Sequence, residues 1–411
     1  MKAAIRHMLR NRRRTILTLC AVLIPVYFLV MMFGFINSMM QDMFETSTRF
    51  DTGHIQIRAE EAKGSGLAMP LMRNTQDALA ALATVEGIEW STVRLDLPAL
   101  ASVGDRTRTV FVRGVVPEEI EPISNMSDRI VEGEFLTRDS AGVVVGQELA
   151  DLLSLRVGDD MVLLGVHPDA SLGALRAPIV GIFNAPEATM GRTMVITSLA
   201  TARRLARSDT AATAIVLRVD GVTGPWDRSR LDRTTAALRA ALPVGYDVQD
   251  WLDLVPFVEG YLKILTPMMV IMAGIFFALG ALVVVNTLYL SVMERTREIG
   301  LILALGASRA RVMGMVLTEA GVITLAGAFY GALVGVGLVL IVRAFGGIPL
   351  WGQLAAYMKE MGINPVLNMS IRASQVLLAA GAMAVVALLA AWLPARRAAK
   401  LEPMEAMRYV E

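Results

Sequence analysis

Four membrane-spanning α-helices, with a large α+β domain inserted between the first and the second, are what this sequence encodes. Hydropathy is the first reason. Hydrophobic residues make up 55% of the 411 and charged residues 19%, with a mean hydropathy of +0.53. That is too apolar for an ordinary soluble domain and too charged for a chain wholly in lipid. Segment length is the second: four apolar runs reach the roughly 20 residues that cross a ~30 Å hydrocarbon layer as a helix. The third is charge placement, because threading four spans puts every short Lys/Arg-rich segment on one side.

In chain order, residues 1–14 carry Lys2, Arg6, Arg10, Arg12, Arg13 and Arg14 with no acidic residue, which predicts a cytoplasmic N-terminus. The first span is expected at 15–40, kinked at Pro25. It outruns the ~7–15-residue core of a signal peptide, and its exit Asn37-Ser38-Met39-Met40-Gln41 offers no small-x-small cleavage site, so it is read as an uncleaved anchor. Residues 41–262 have the hydropathy of a soluble domain large enough to bury its own core. Alternation over 54–58, 109–113 and 214–218 predicts strands, and helical spacing predicts helices over 75–82, 147–153, 199–205 and 231–242. The stretch 142–164 reads strand, helix, turn, strand; without a Gly-Lys-Ser/Thr its glycines are not a phosphate loop.

A second span is expected at 263–293, with Trp251, Tyr261 and Lys263 where it leaves the membrane. The third, 317–343, holds Gly327, Gly331 and Gly335 at steps of four, a pattern that lets another helix approach closely. An outer loop, 344–373, contains Trp351 and Tyr357, and the fourth span, 374–393, stops at Pro394 with its alanines and Gly381 marking a packing face. The tail, 394–411, is basic through Arg396, Arg397, Lys400 and Arg408, and the elbow at 294–316 is basic through Arg295, Arg297, Arg309 and Arg311. Both termini and the elbow are therefore expected in the cytoplasm and the large domain outside.

Little in the chain suggests covalent chemistry. Cys20 is a lone cysteine, and His7, His54 and His167 lie far apart, so neither a disulfide nor a metal set is expected. No Ser, His and Asp recur at a spacing that would make a nucleophile and base, so the chain is read as non-catalytic; no nucleic-acid partner is expected. Glu319 is expected to pair with an elbow arginine, and Asn286 to bridge helices. Methionines 31, 32, 39, 40, 268, 269 and 272 crowd the first two spans, where thioethers serve either an irregular apolar ligand or ordinary packing.

The elbow carries the most specific string: Glu294-Arg295-Thr296-Arg297-Glu298-Ile299-Gly300, then Leu305-Gly306-Ala307-Ser308. Glu294 and Arg297 are spaced i,i+3, Leu301, Ile302 and Leu305 share a face, Ser308 is expected to cap a second short helix, and a Cβ at Gly306 is expected not to fit the turn. The string resembles the signature of the FtsX-like permease domain. That resemblance implies that Glu294, Arg295, Thr296, Arg297, Glu298, Ile299, Gly300, Leu305, Gly306 and Ala307 form a coupling helix docked on an ATPase. Residues 142–164 and 180–202 resemble the periplasmic core domain of the MacB and lipoprotein-releasing LolC/LolE permeases.

The family resemblance implies a bacterial inner-membrane protein working with a second permease subunit, the same chain or a sibling, and a cytoplasmic ABC ATPase dimer. ATP and Mg would be bound by that ATPase, with no cofactor in this chain. The substrate would be a lipoprotein or lipid, taken into a groove that includes Met31, Phe35, Met39, Leu265, Met268 and Met272 and passed to a periplasmic carrier. One departure is visible: the connection 167–178, between strands expected at 161–164 and 179–183, is shorter than the hairpin hook with which the LolC type takes its carrier, which gives weight to a LolE-like or divergent role. Two other readings stay open, a MacB-like efflux permease working by mechanotransmission and an FtsX-like scaffold that regulates a cell-wall hydrolase.

Overall fold

The computed structural model describes residues 12–62, 70–72, 74–166, 172–360 and 365–401. Its four longest helices, Arg12–Ser47, Pro256–Glu294, Arg309–Ala344 and Ala373–Ala399, are long and apolar enough to cross a membrane. Each outruns the span read from hydropathy, because helix-forming residues continue the backbone ladder after the apolar run ends. Pro394 does not end the fourth helix but lies buried within it. The chain divides into two compact units, one of membrane helices (residues 1–39, 262–349 and 366–411) and one made of the large domain with residues 350–365.

In the helical unit, side-chain size sets the packing. A Cβ on Gly327 would stand 2.8 Å from Val22 Cβ, one on Gly331 2.6 Å from the Leu23 carbonyl, and one on Gly335 2.8 Å from Val30, so the glycine stripe of the third helix is where the first helix lies. Gly280 of the second helix makes a similar approach, to Met383 and to the Ala21 carbonyl. Ala379, Met383, Ala387 and Ala391 complete this core with Val26, Val284 and Leu288. Near the start of the fourth helix, buried Asn37 and half-buried Gln375 exchange side-chain amide hydrogen bonds, and Asn37 also donates to Ser370 O at 3.1 Å. Two expectations fail here: Asn286 is exposed rather than bridging helices of this chain, and Gly381 is exposed with open space where a Cβ would stand.

The large unit is built on a ten-stranded sheet: β1 Ile55–Ala59, β2 Ile88–Val103, β3 Arg106–Val115, β4 Ile130–Gly133, β5 Val143–Gly146, β6 Asp160–Val166, β7 Leu172–Phe183, β8 Met194–Ser198, β9 Ala214–Val219 and β10 Tyr246–Asp250. The order is β10-β1-β9-β2-β3-β8-β5-β7-β4, with β6 pairing β2 and β7; β3/β8 and β5/β7 run parallel. β2 joins the two halves, since its first part pairs with β9 and its second with β3. Helices Gln147–Leu153 and Leu199–Leu205 supply Leu149, Leu153 and Leu205 to a core with Val110, Val143, Met161 and Ile179. The connection expected at 167–178 is mostly strand: β7 begins at Leu172 and pairs with β6 from Val166↔Leu172 to Asp160↔Pro178, and residues 167–171 lie outside the described residues.

Where the first helix enters this unit, a π-turn at Thr48–Thr52 brings Asp51 against a buried ionic cluster. Arg113 donates to Asp96 at 2.8 Å, to Asp51 at 2.7 Å and to the Phe50 carbonyl at 3.0 Å, while Arg94 lies 2.8 Å from Asp96 and donates to the Asp51 carbonyl. Burial raises the Asp96 carboxyl, but Arg113 and Arg94 outweigh it and hold the group below the ordinary range; burial and then Arg113 lower Arg94 to about 10. Phe44 meets Trp251 edge-on at 5.1 Å, and Trp251 is 0% exposed, so it is a core residue of this unit and not the membrane-exit aromatic expected. His54 is buried beside it, its Nδ1 accepting from Val219 N at 3.1 Å; burial, then Arg218, push it down to about 4.

Replacing Arg113 with Met strands Asp51 and part of Asp96 without their main partner, a loss of about 3–5 kcal/mol. The midpoint for thermal unfolding of the detergent-solubilised protein should fall by about 10 °C. A second outcome concerns pH. His54 binds a proton near 6.5 when unfolded and near 4 when folded, so its stabilisation is complete above pH 6.5 and is lost as pH falls towards 4. In His54→Asn, whose Oδ1 can still accept from Val219 N, the unfolding midpoint should depend less on pH across that window.

Candidate functional site

The elbow is a short helix, Thr296–Ala304, set between two long ones. Thr296 closes the end of the second helix, its Oγ1 lying 2.8 Å from Met293 O and 3.1 Å from Val292 O, two carbonyls of that helix's last turn. At its far end Gly306 N–H donates to Leu303 O at 3.0 Å and Ala307 N–H to Ile302 O at 3.2 Å, the paired bonds of a Schellman motif. Gly306 has φ +91° with open space where a Cβ would stand. The constraint there is backbone conformation and not the steric block expected. Ser308 caps the long third helix, accepting from Arg311 N at 3.3 Å; no second short helix intervenes.

The helix has two faces. Inward, Thr296, Ile299 and Gly300 are buried, and Ile299 packs with Val292, Val312, Val316, Ala395 and Ala398, so the elbow is seated on the second, third and fourth helices together. Outward, Arg297, Glu298, Leu301 and Leu305 are exposed, Leu301 by 53% and Leu305 by 80%. Arg295 joins the faces, bonding Glu298 and the buried Glu319 at 3.1 Å each, which is the pairing expected of Glu319. Of the ten residues predicted, then, Thr296, Ile299 and Gly300 position the elbow, Arg295 braces it, Gly306 and Ala307 terminate it, and Glu294, Arg297, Glu298 and Leu305 remain outward. Leu301, expected to share a face with Leu305 but not among those ten, is outward with it, whereas Ile302, expected on the same face, packs against the inner cluster. What this face can do is dock, since two leucines at i,i+4 among charges form a small apolar contact with a polar rim.

The six residues expected to line a groove are not alike. Leu265 is buried, Met268 is 55% exposed, and Met31, Phe35, Met39 and Met272 are half-buried. Met31 packs against the helical core, and the first and second helices meet nearby through Phe28 and Phe276, ring centroids 4.3 Å apart. Among the described residues no group of three His, Cys, Asp or Glu is placed to hold a metal ion.

The family model for the MacB-like periplasmic core domain matches residues 15–227, and that for the FtsX-like permease C-terminal domain matches residues 270–403, a stretch that contains the elbow. Among named relatives, the lipoprotein-releasing system transmembrane protein LolC of Xylella fastidiosa is 24% identical over 346 residues, which cover 82% of each chain. The macrolide export ATP-binding/permease protein MacB 2 of Aeromonas hydrophila is 23% identical over 422 residues, covering 99% of this chain and 60% of that one. An ABC transporter permease of Bacillus subtilis, YknZ, is 31% identical over 164 residues, covering 40% of this chain and 36% of its own length.

The two faces should separate under mutation. Leu305→Asp, on the exposed side, should change stability by no more than about 0.5 kcal/mol, whereas Ile299→Asp puts a charge into an apolar seat and should cost several times that. Thermal midpoint and the rate of tryptic cleavage after Arg297 will both read this: faster cleavage in Ile299→Asp, and cleavage as in the unaltered protein in Leu305→Asp.

Proposed function

Since the chain belongs to the MacB-like periplasmic core family and carries an FtsX-like permease C-terminal domain, we propose that it extracts lipoproteins from the membrane, driven by a separate ATPase. The chain is an ABC transporter permease of the MacB/FtsX/LolC type, a multi-pass membrane subunit. The observation that carries the finer reading is the likeness to a lipoprotein-releasing LolC across 82% of both chains. In this reading the outward face of the elbow, Arg297, Leu301 and Leu305, docks on the ATPase, which binds ATP and Mg. Movement of the ATPase pair then reaches three membrane helices at once, because Ile299 is seated on all three. The first and second helices, with a second permease subunit, hold the acyl chains near Met31, Phe35 and Met268, and closing that groove expels them towards a carrier.

A MacB-like efflux role is the second reading, favoured by the match to a macrolide export protein over 99% of this chain. In that case the large domain transmits motion instead of passing on a lipoprotein.

Photo-crosslinkers at Met31, Phe35 and Met268 distinguish the two. Extraction predicts capture of acylated protein before ATP is added and its loss afterwards, while crosslinks to phospholipid alone, unchanged by ATP, would overturn it. The same purification, analysed by mass spectrometry, should retain the ATPase with the unaltered chain and lose about tenfold or more of it with Leu301→Asp combined with Leu305→Asp, since removing a docked apolar anchor costs about 2 kcal/mol or more. An outer-membrane channel among the retained proteins would support the efflux reading, and a cell-wall hydrolase would support a scaffold.

A further inference from the structure

The loop between the third and fourth helices contains a feature that neither docking on an ATPase nor a substrate groove uses. It is a second short helix, Gly352–Glu360, preceded by Trp351. Trp351 is 81% exposed and Tyr357 61% exposed, and Gln353 and Ala356 between them are exposed as well. An exposed Trp just before a short helix and an exposed Tyr within it call for an occupant that accepts an apolar ring body and a polar tip.

Chain connectivity says which occupant. Residues 348–349 and 366–367 pair as a two-residue antiparallel ladder, Ile348↔Leu367 and Pro349↔Val366, which pinches the base of the loop a few residues from the ends of two membrane helices, Ala344 and Ala373. The base is held down further by Ser370 N–H donating to Gly34 O of the first helix at 3.0 Å. Trp351 follows Pro349 by two residues, a reach of no more than about 7 Å. Four spans place this loop on the same side as the large domain, and within that unit the helix touches Ala188–Thr193. A Trp and a Tyr tethered this close to the ends of spanning helices occupy the level at which such rings are enriched, the boundary between headgroups and acyl chains.

We propose that Gly352–Glu360 is an interfacial helix lying in the lipid headgroup layer, with Trp351 and Tyr357 inserted. The inference rests on the chain spanning a bilayer, which alkaline extraction of the membranes checks separately.

The test uses the full chain in lipid nanodiscs with Cys20→Ser, which removes the one native cysteine. Nitroxide labels are placed at Trp351→Cys, Tyr357→Cys and, as an aqueous reference, Asp209→Cys. Power saturation should show collision with oxygen exceeding collision with a water-soluble nickel chelate at 351 and 357, equivalent to a depth of about 5–10 Å, and the reverse at 209. Nickel accessibility at 351 and 357 equal to that at 209 would overturn the proposal, and so would exclusion of both reagents, which would mean that protein covers the site. Quenching by brominated lipid avoids the cysteine variants. The fluorescence difference between the unaltered chain and Trp351→Phe should be quenched more by bromines at carbons 6 and 7 than at 11 and 12, and absence of quenching sinks the idea equally.

Discussion

The close approach of the first and third membrane helices is the constraint on which the rest of this protein depends. At Gly327, Gly331 and Gly335 any side chain would strike the first helix, so the two backbones are held together without intervening atoms. Lipid tails are as apolar as leucine, so such contacts, and not a hydrophobic drive, hold membrane helices in place. The first helix leads in sequence into the large domain, and the third begins directly after the elbow. Pro25 and Gly280 add a local weakness to the first helix. Proline cannot donate to the Ala21 carbonyl four residues back, and the second helix approaches that same carbonyl closely enough that only glycine fits.

In the large domain, specificity comes from charge. Arg94, Asp96 and Arg113 are nearly inaccessible, and an apolar cluster of equal volume would serve stability as well or better. What the ions provide is direction: Arg113 spans from the central strands to Asp51 in the turn that ends the first helix, and fixes the register of that entry. Phe44, His54 and Trp251 surround the same entry with tight, directional contacts.

The elbow combines two opposed requirements on one helix of nine residues. Its inner face is apolar enough to sit on three helices, and its outer face leaves Leu301 and Leu305 exposed among charged residues. Arg295, bonded to both Glu298 and Glu319, ties the elbow helix to the third helix. A charge reversal at Glu298 therefore disturbs an internal brace before it touches anything outside, so the exposed leucines are the cleaner probe of docking.

Hydropathy and period alone determined that this chain has four long apolar helices and a mixed domain after the first, and that three helices of the domain lie over 75–82, 147–153 and 199–205. These are local matters: lipid forces backbone hydrogen bonds inward, and side-chain alternation follows the backbone period. The elbow was legible as a string because its glycine and serine are local stop and start signals. Which elbow residues face inward was decided only by the tertiary structure, since Ala395 and Ala398, which bury Ile299, stand almost a hundred residues away in the chain. The same holds for Arg94 and Arg113, which look like solvated strand charges until strands far apart in sequence meet around Asp96, and for Trp251, whose position beside a membrane helix suggested an interface until the fold closed over it. Periodicity shows which residues share a face, but what that face meets depends on the packing of distant segments.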